Sequence, residues 1–162
     1  MKLDGSIASA TPAKLVRALS DPVVLAQIAP EGCEIGTPSG EAIPVKLIRK
    51  LGPVHLTLAC TLTLTKKPDA PGFDLAIQGA HLIGGKVAVT LSLVPQVPQT
   101  GPKRLAWGGE LTASGLAGRL VKDRDAEGQA VVKRLFLRLK QVVEAQSAVS
   151  FDQAMTGSPD PN

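Results

Sequence analysis

Two histidines, two cysteines and a short acidic run are the groups in this chain suited to metal binding or catalysis. His55 falls on the threonine side of an alternating stretch, which turns it to solvent. His81 sits in Gly79-Ala80-His81-Leu82-Ile83-Gly84-Gly85, which reads as a turn. Neither has a carboxylate or thiol at ligand spacing, so neither completes a metal site, and both read as structural or solvated. Cys33 stands at a strand start with nothing in sequence to lower its pKa, and reads as a small buried apolar residue. Cys60 shares a face with leucines and reads as core. The glycines at 79, 84 and 85 follow a strand but open another strand, so they make no phosphate cradle at a helix start. Asp123, Asp125 and Glu127 read as a mixed-charge helix start that favours the dipole, not as paired catalytic acids. No nucleophile with a base and an orienting group emerges. The expectation is a protein that binds, without catalysis, metal or resident cofactor.

Composition narrows the class of partner. The 162 residues suit one domain, with 44% hydrophobic and 20% charged residues, a globular balance. Three Phe, one Trp and no Tyr leave too few rings for a base-stacking surface. The net charge of +4 comes from scattered basic residues without a recognition motif, so nucleic acid is not an expected partner. Apolar runs such as Val23-Val24-Leu25-Ala26 are too short to span a bilayer, and Met1-Lys2-Leu3-Asp4-Gly5 lacks a signal pattern. Two cysteines are too few for a disulfide framework. The expected location is the cytoplasm, with peripheral contact at the inner face of the membrane.

The elements that would hold a site follow from periodicity. Leu3, Gly5, Ile7 and Ser9 alternate as a first strand. Thr11-Pro12 and Asp21-Pro22 each read as N-cap and first helical residue of a short helix, the first through Leu15, Val16 and Leu19 and the second through Val23, Leu25 and Ile28. Strands are expected at 33–37 and 41–51 around Pro38-Ser39-Gly40. Pro44 should lie at an edge or bulge, because it lacks a ladder donor. From 54 to 65 the pattern is clearest. Val54, Leu56, Leu58, Cys60, Leu62 and Leu64 share one face, and His55 with the threonines takes the other. Strands at 73–78, 86–94 and 104–113 complete an antiparallel meander. From Gly128 to Val143 the apolar steps become one, three and four, a wide stripe on a long helix. Leu116 to Ala126 belongs to that helix or to a preceding turn. The expected fold is α+β: a curved seven-stranded antiparallel sheet wrapped around a long C-terminal helix, with two short helices after strand 1. Residues 1–150 form the domain and 151–162 a flexible tail.

The order of these elements, with several short words, resembles the G-subunit family of carbon monoxide dehydrogenase, within the START-related helix-grip superfamily, also known as SRPBCC or polyketide cyclase-like. The words are Leu3-Asp4-Gly5-Ser6, Leu19-Ser20-Asp21-Pro22 with Leu25, and Pro30-Glu31-Gly32-Cys33-Glu34. Leu51-Gly52-Pro53-Val54, Arg104-Leu105-Ala106-Trp107, Gly115-Leu116-Ala117 and Arg134-Leu135-Phe136 complete the set. They run from residue 2 to about 145. Glu31 interrupts the family's Pro-Gly-Cys-Glu word. The resemblance implies a helix-grip fold and an accessory protein of a molybdenum hydroxylase, concerned with maturation or membrane recruitment of that enzyme. It also implies a relation to cyclases and dehydratases that work by pocket shape.

The residues expected to converge between sheet and helix are Leu56, Leu58, Leu62, Val89, Leu91, Trp107, Leu135, Phe136 and Leu139. Most must fill a core. Where a cavity remains, such a lining accepts a quinone tail or lipid by area, with little directional selectivity. Arg49 shares parity with Val45, Leu47 and Leu51. It either anchors a ligand carbonyl at the pocket mouth or snorkels to the sheet edge. Arg119, Lys122 and Arg124 cluster beside Leu116, Leu120 and Val121, a docking site for an acidic partner or anionic membrane. A free-standing domain that binds lipid or a hydrophobic metabolite is the alternative, and a cyclase-type enzyme comes third.

Overall fold

Strand pairing follows the alternation of apolar residues along the whole chain. In the computed structural model, which describes residues 1–51, 53–81 and 85–156, β1 (Lys2–Ala8) leads into α1 (Pro12–Ala18) and α2 (Pro22–Ile28). Six strands follow: β2 (Cys33–Ile35), β3 (Ile43–Leu51), β4 (Val54–Lys66), β5 (Phe73–His81), β6 (Gly85–Gln96) and β7 (Arg104–Ala113). α3 (Gly115–Val121) and α4 (Asp125–Thr156) end the chain as described. The strands form one seven-stranded antiparallel sheet in the order β1-β7-β6-β5-β4-β3-β2. This is the helix-grip arrangement, a curved sheet holding a long helix.

Local chemistry sets the boundaries. Asp21 caps α2 by accepting from the Val23 amide at 2.9 Å, and Pro22 occupies the first helical position. Thr11 stands at the corresponding place before α1, but its hydroxyl makes no capping bond. Its amide instead donates to the Ser9 hydroxyl at 3.1 Å, so a local serine turn starts the helix. β2 is shorter than the expected 33–37 because of Pro44. The Gly36 amide donates to the Pro44 carbonyl at 2.8 Å, and the return bond needs an N–H that proline lacks. The ladder ends there, with the missing donor facing the sheet edge. β5 extends to His81, which pairs with Gly85 in the backbone register, so His81 and Gly85 belong to strands; residues 82–84 lie outside the described residues.

The end of the chain differs most from the apolar stripe. Leu116 to Val121 lie in a separate helix, and Lys122-Asp123-Arg124 part it from α4. Asp123 sits at φ 58°, in the left-handed region, which stops a helix of L-residues. α4 then starts at Asp125, with Asp125 and Glu127 in its first turn as the dipole favours. It continues to Thr156, past Val143 and through residues 151–156. The stripe fades after Val143, but nothing there breaks a helix: 144–156 hold neither proline nor glycine and include three alanines.

α4 is pinned to one side of the sheet. Gln129 accepts from the Asp4 amide at 2.9 Å and donates to its carboxylate at 2.8 Å, so it occupies the free edge of β1. Gly128 comes close enough to Met1 that a side chain there would collide with its sulfur. Farther along, the helix leans on α1 and α2. The core cluster joins Leu3, Ile7, Leu15, Val16, Leu93, Leu105, Trp107, Leu139 and Val143, drawn from sheet, short helices and α4 together.

Candidate functional site

The inner face of the sheet is apolar in almost every row. One row runs across five strands as Lys66–Phe73–Leu93–Trp107–Gly5, each residue paired with the next. Gly108 and Gly109 do not flip the parity of β7, because the register runs unbroken through both. Trp107 is therefore inward and only 4% exposed. Its indole is held on two sides. Phe136 of α4 stacks on it with centroids 4.4 Å apart and 18° between planes. Opposite it in β1 is Gly5, where a Cβ would come within 2.6 Å of Cζ2 and 3.2 Å of Nε1. Only glycine leaves room for the ring at that position.

Among the described residues the buried indole Nε1 has no hydrogen-bond partner. An unpaired buried donor costs about 1–3 kcal/mol, so few native structures leave one without reason. The cross-strand partners of Trp107, Leu93 and Gly5, carry no side-chain acceptor.

A cleft of about 400 Å³ opens on the opposite side of the same layer. Ile43, Leu62, Leu64 and Phe73 form its apolar lining on β3, β4 and β5. Arg17 and Ser20 approach from α1 and its end, Pro38, Gly40 and Glu41 from the β2–β3 connection, and Lys66 from the last residue of β4. The cleft shares its row with the indole: Phe73 pairs with Leu93, which pairs with Trp107.

Of the residues expected to line a pocket, Leu58, Leu62, Leu91, Trp107, Phe136 and Leu139 are buried in the core cluster. Val89 packs against that cluster half-buried, and Leu135 is also half-buried. Leu56 and Arg49 pair with each other in the register of β3 and β4, and their side chains lie outside the described residues, as does that of His81. His55 is exposed, in line with its parity. Cys60 is buried, and burial pushes its thiol pKa up, the reverse of an activated nucleophile. Arg119, Lys122 and Arg124 are all exposed around the α3–α4 break, with Arg124 3.6 Å from Glu127.

Sequence reasoning misses the polar rim of the cleft. Lys66 is within its reach, because it continues the inward parity of Leu62 and Leu64. Arg17, Ser20 and Glu41 carry no such signal, since parity along a strand says nothing of which helix or connection passes over it. Among the described residues, no group of three or more His, Cys, Asp or Glu could hold a metal ion. Among them too, no helix is long and apolar enough to cross a membrane. What the cleft offers chemically is apolar surface and a charged rim.

No protein-family model matches the chain, and no curated protein matches it either. Solved structures do. A conserved protein from Geobacillus kaustophilus aligns with TM-score 0.68 and 15% identity, covering 90% of this chain and 96% of its own. Ara h 8.0201 aligns with TM-score 0.50 and 16% identity over 90% of this chain and 98% of that one. The Zhui aromatase/cyclase from Streptomyces sp. R1128 gives 0.51 and 18% over 98% and 99%. At such identities the likeness is one of fold alone, the helix-grip fold, and does not reach the carbon monoxide dehydrogenase family.

Proposed function

We propose that this chain binds an apolar small molecule, a quinone or lipid, between the curved sheet and α4, with the cleft beside α1 as its mouth. One observation carries the reading: a cleft of about 400 Å³ is floored by Ile43, Leu62, Leu64 and Phe73, of which Leu64 and Phe73 are only half-buried, beneath a rim bearing Arg17, Lys66 and Glu41. Apolar surface removed from water is worth about 25 cal/mol per Å², so a chain or ring seated there gains by burial alone. The rim cations suit a polar or anionic end left near solvent. Likeness in fold to an aromatase/cyclase supports a small-molecule use of the interior. The reading assigns binding to the chain and no reaction.

Native mass spectrometry of the purified protein tests it, together with saturable uptake of a fluorescent fatty acid. Leu64→Trp should block both while leaving the fold intact, since position 64 is only half-buried and tolerates the added bulk. Unchanged uptake by that variant would remove the cleft from the proposal.

The finer part of the proposal comes from the words shared with the carbon monoxide dehydrogenase family: an accessory role to a molybdenum hydroxylase, in maturation or membrane recruitment of that enzyme. Exposed Arg119 and Lys122, next to the paired Arg124, are the docking residues in this reading. Genes for a molybdenum hydroxylase beside its own would support the role. Sedimentation with anionic vesicles at low salt, weakening as salt rises, tests the membrane contact.

A further inference from the structure

Resting on the binding reading above, we propose that the cleft takes a monoanionic amphiphile, a carboxylate on an apolar chain. Its charged end sits at Arg17 and Lys66, and its chain lies along β4 toward Ile43. The order of residues on the floor sets that orientation. Ile43 and Leu62 pair across β3 and β4 and are only 3% and 5% exposed. Two residues on, Leu64 is half-buried; two further, Lys66 is exposed and pairs with half-buried Phe73. Leu62, Leu64 and Lys66 share one parity, so the floor runs about 13 Å along a single strand, from buried leucine to a cation in solvent. A molecule apolar along its length and polar at one end matches that gradient in one direction only.

Charge decides which polar end. Lys67, Arg124 and Lys140 each have a carboxylate beside them, at Asp74, Glu127 and Glu144. Among the described residues, Arg17 and Lys66 have no such partner, although both line the cleft. Glu41 is the one carboxylate on the rim, so the mouth holds an excess of one positive charge. A carboxylate suits both cations, since arginine offers it a planar fork and lysine a point charge. A neutral head leaves the two cations as they are, and a cationic head meets repulsion from both. The chain adds to binding by covering what remains exposed of Leu64 and Phe73.

Decanoate, decan-1-ol and decyltrimethylammonium share a chain and differ in the charge of the head. Titration calorimetry near neutral pH and at low salt should show saturable binding of the first two. Decanoate should bind about fivefold tighter than the alcohol, the order of two solvent-exposed ion pairs. The cationic probe should bind more weakly than the alcohol. Added salt should shrink the preference for decanoate, because exposed charges are screened. Arg17→Gln with Lys66→Gln should abolish that preference and keep decanol affinity within about twofold; both positions are exposed, so the fold tolerates the change. Equal affinities of acid and alcohol, or a preference that survives the double variant, would overturn the anionic head while leaving the apolar site standing. Tighter binding of the cationic probe would overturn it in favour of Glu41. Decanoate binding that Leu64→Trp does not weaken would put the acid elsewhere on the protein and overturn it as well. If no probe binds saturably, the binding reading itself is wrong.

Discussion

Gly5→Ala tests the packing on which the indole's position depends. An alanine Cβ at position 5 would lie 2.6 Å from Trp107 Cζ2 and 2.9 Å from Cε2. Carbon atoms in contact settle at about 3.5–4.0 Å, so the ring must move by about 1 Å. Phe136, stacked with its centroid 4.4 Å away, limits that movement. Overpacking of this kind costs about 1–3 kcal/mol, and a disturbed aromatic stack loses part of a further 0.5–1.5 kcal/mol, roughly. Alanine also stiffens the unfolded chain, which returns about 0.4–1 kcal/mol. The net expectation is a loss of about 2 kcal/mol, or a midpoint lower by roughly 4–8 °C for a domain of this size. Urea unfolding read by Trp107 emission is the assay, since the chain has one Trp and no Tyr. The folded variant should also emit farther to the red.

A second background makes the reasoning refutable at the level of geometry. Phe136→Leu removes the stacked ring, so the indole can retreat, and Gly5→Ala should then cost about 1 kcal/mol less than in the parent. If Gly5→Ala costs under about 0.5 kcal/mol and leaves emission unchanged, the indole does not press on β1. Equal costs in both backgrounds would mean that Phe136 does not hold it there.

Three further outcomes follow from the same packing. Leu58→Asp places a carboxylate at a position 5% exposed, paired with Leu47 and near Cys60 on the same face; the variant should be unfolded near neutral pH and regain structure by circular dichroism as acid protonates the carboxyl. Asp21→Ala should cost about 1 kcal/mol in urea, because the carboxylate caps α2, whereas Thr11→Ala should cost far less, its hydroxyl making no cap. Cys60 should resist a thiol reagent until the protein unfolds. With its thiol pKa raised in the folded state, it contributes stability that is full below the ordinary thiol pKa and lost as pH climbs above it. Cys60→Ala should flatten that alkaline decline.

Much of this fold is legible in the sequence because strand alternation and proline-marked helix starts are local signals. The β4 alternation assigns an inner face that the register extends across six further strands. Asp21-Pro22 marks a true cap. Thr11-Pro12 looks the same and is not, since Ser9 takes the amide that defines the turn, a choice between hydroxyls that spacing does not decide. The length of α4 escapes for a different reason. An apolar stripe reports where a helix packs, and the helix persists beyond its packed face when the residues favour it.

The site is less legible because parity names a face without saying what covers it. Leu62 and Leu64 have the same alternation and neighbouring places on β4, yet one is buried and the other half-buried at the cleft. α4 itself is held against β1 by Gln129 and Gly128 and braced by α1 and α2. A helix pinned to one edge of the sheet goes with a strip on the far strands that is only half-buried, at Leu64 of β4 and Phe73 of β5. The chain does not fill the strip with larger side chains. It rims it with Arg17, Glu41 and Lys66, polar residues above an apolar floor, the arrangement that the proposed binding of an apolar molecule requires.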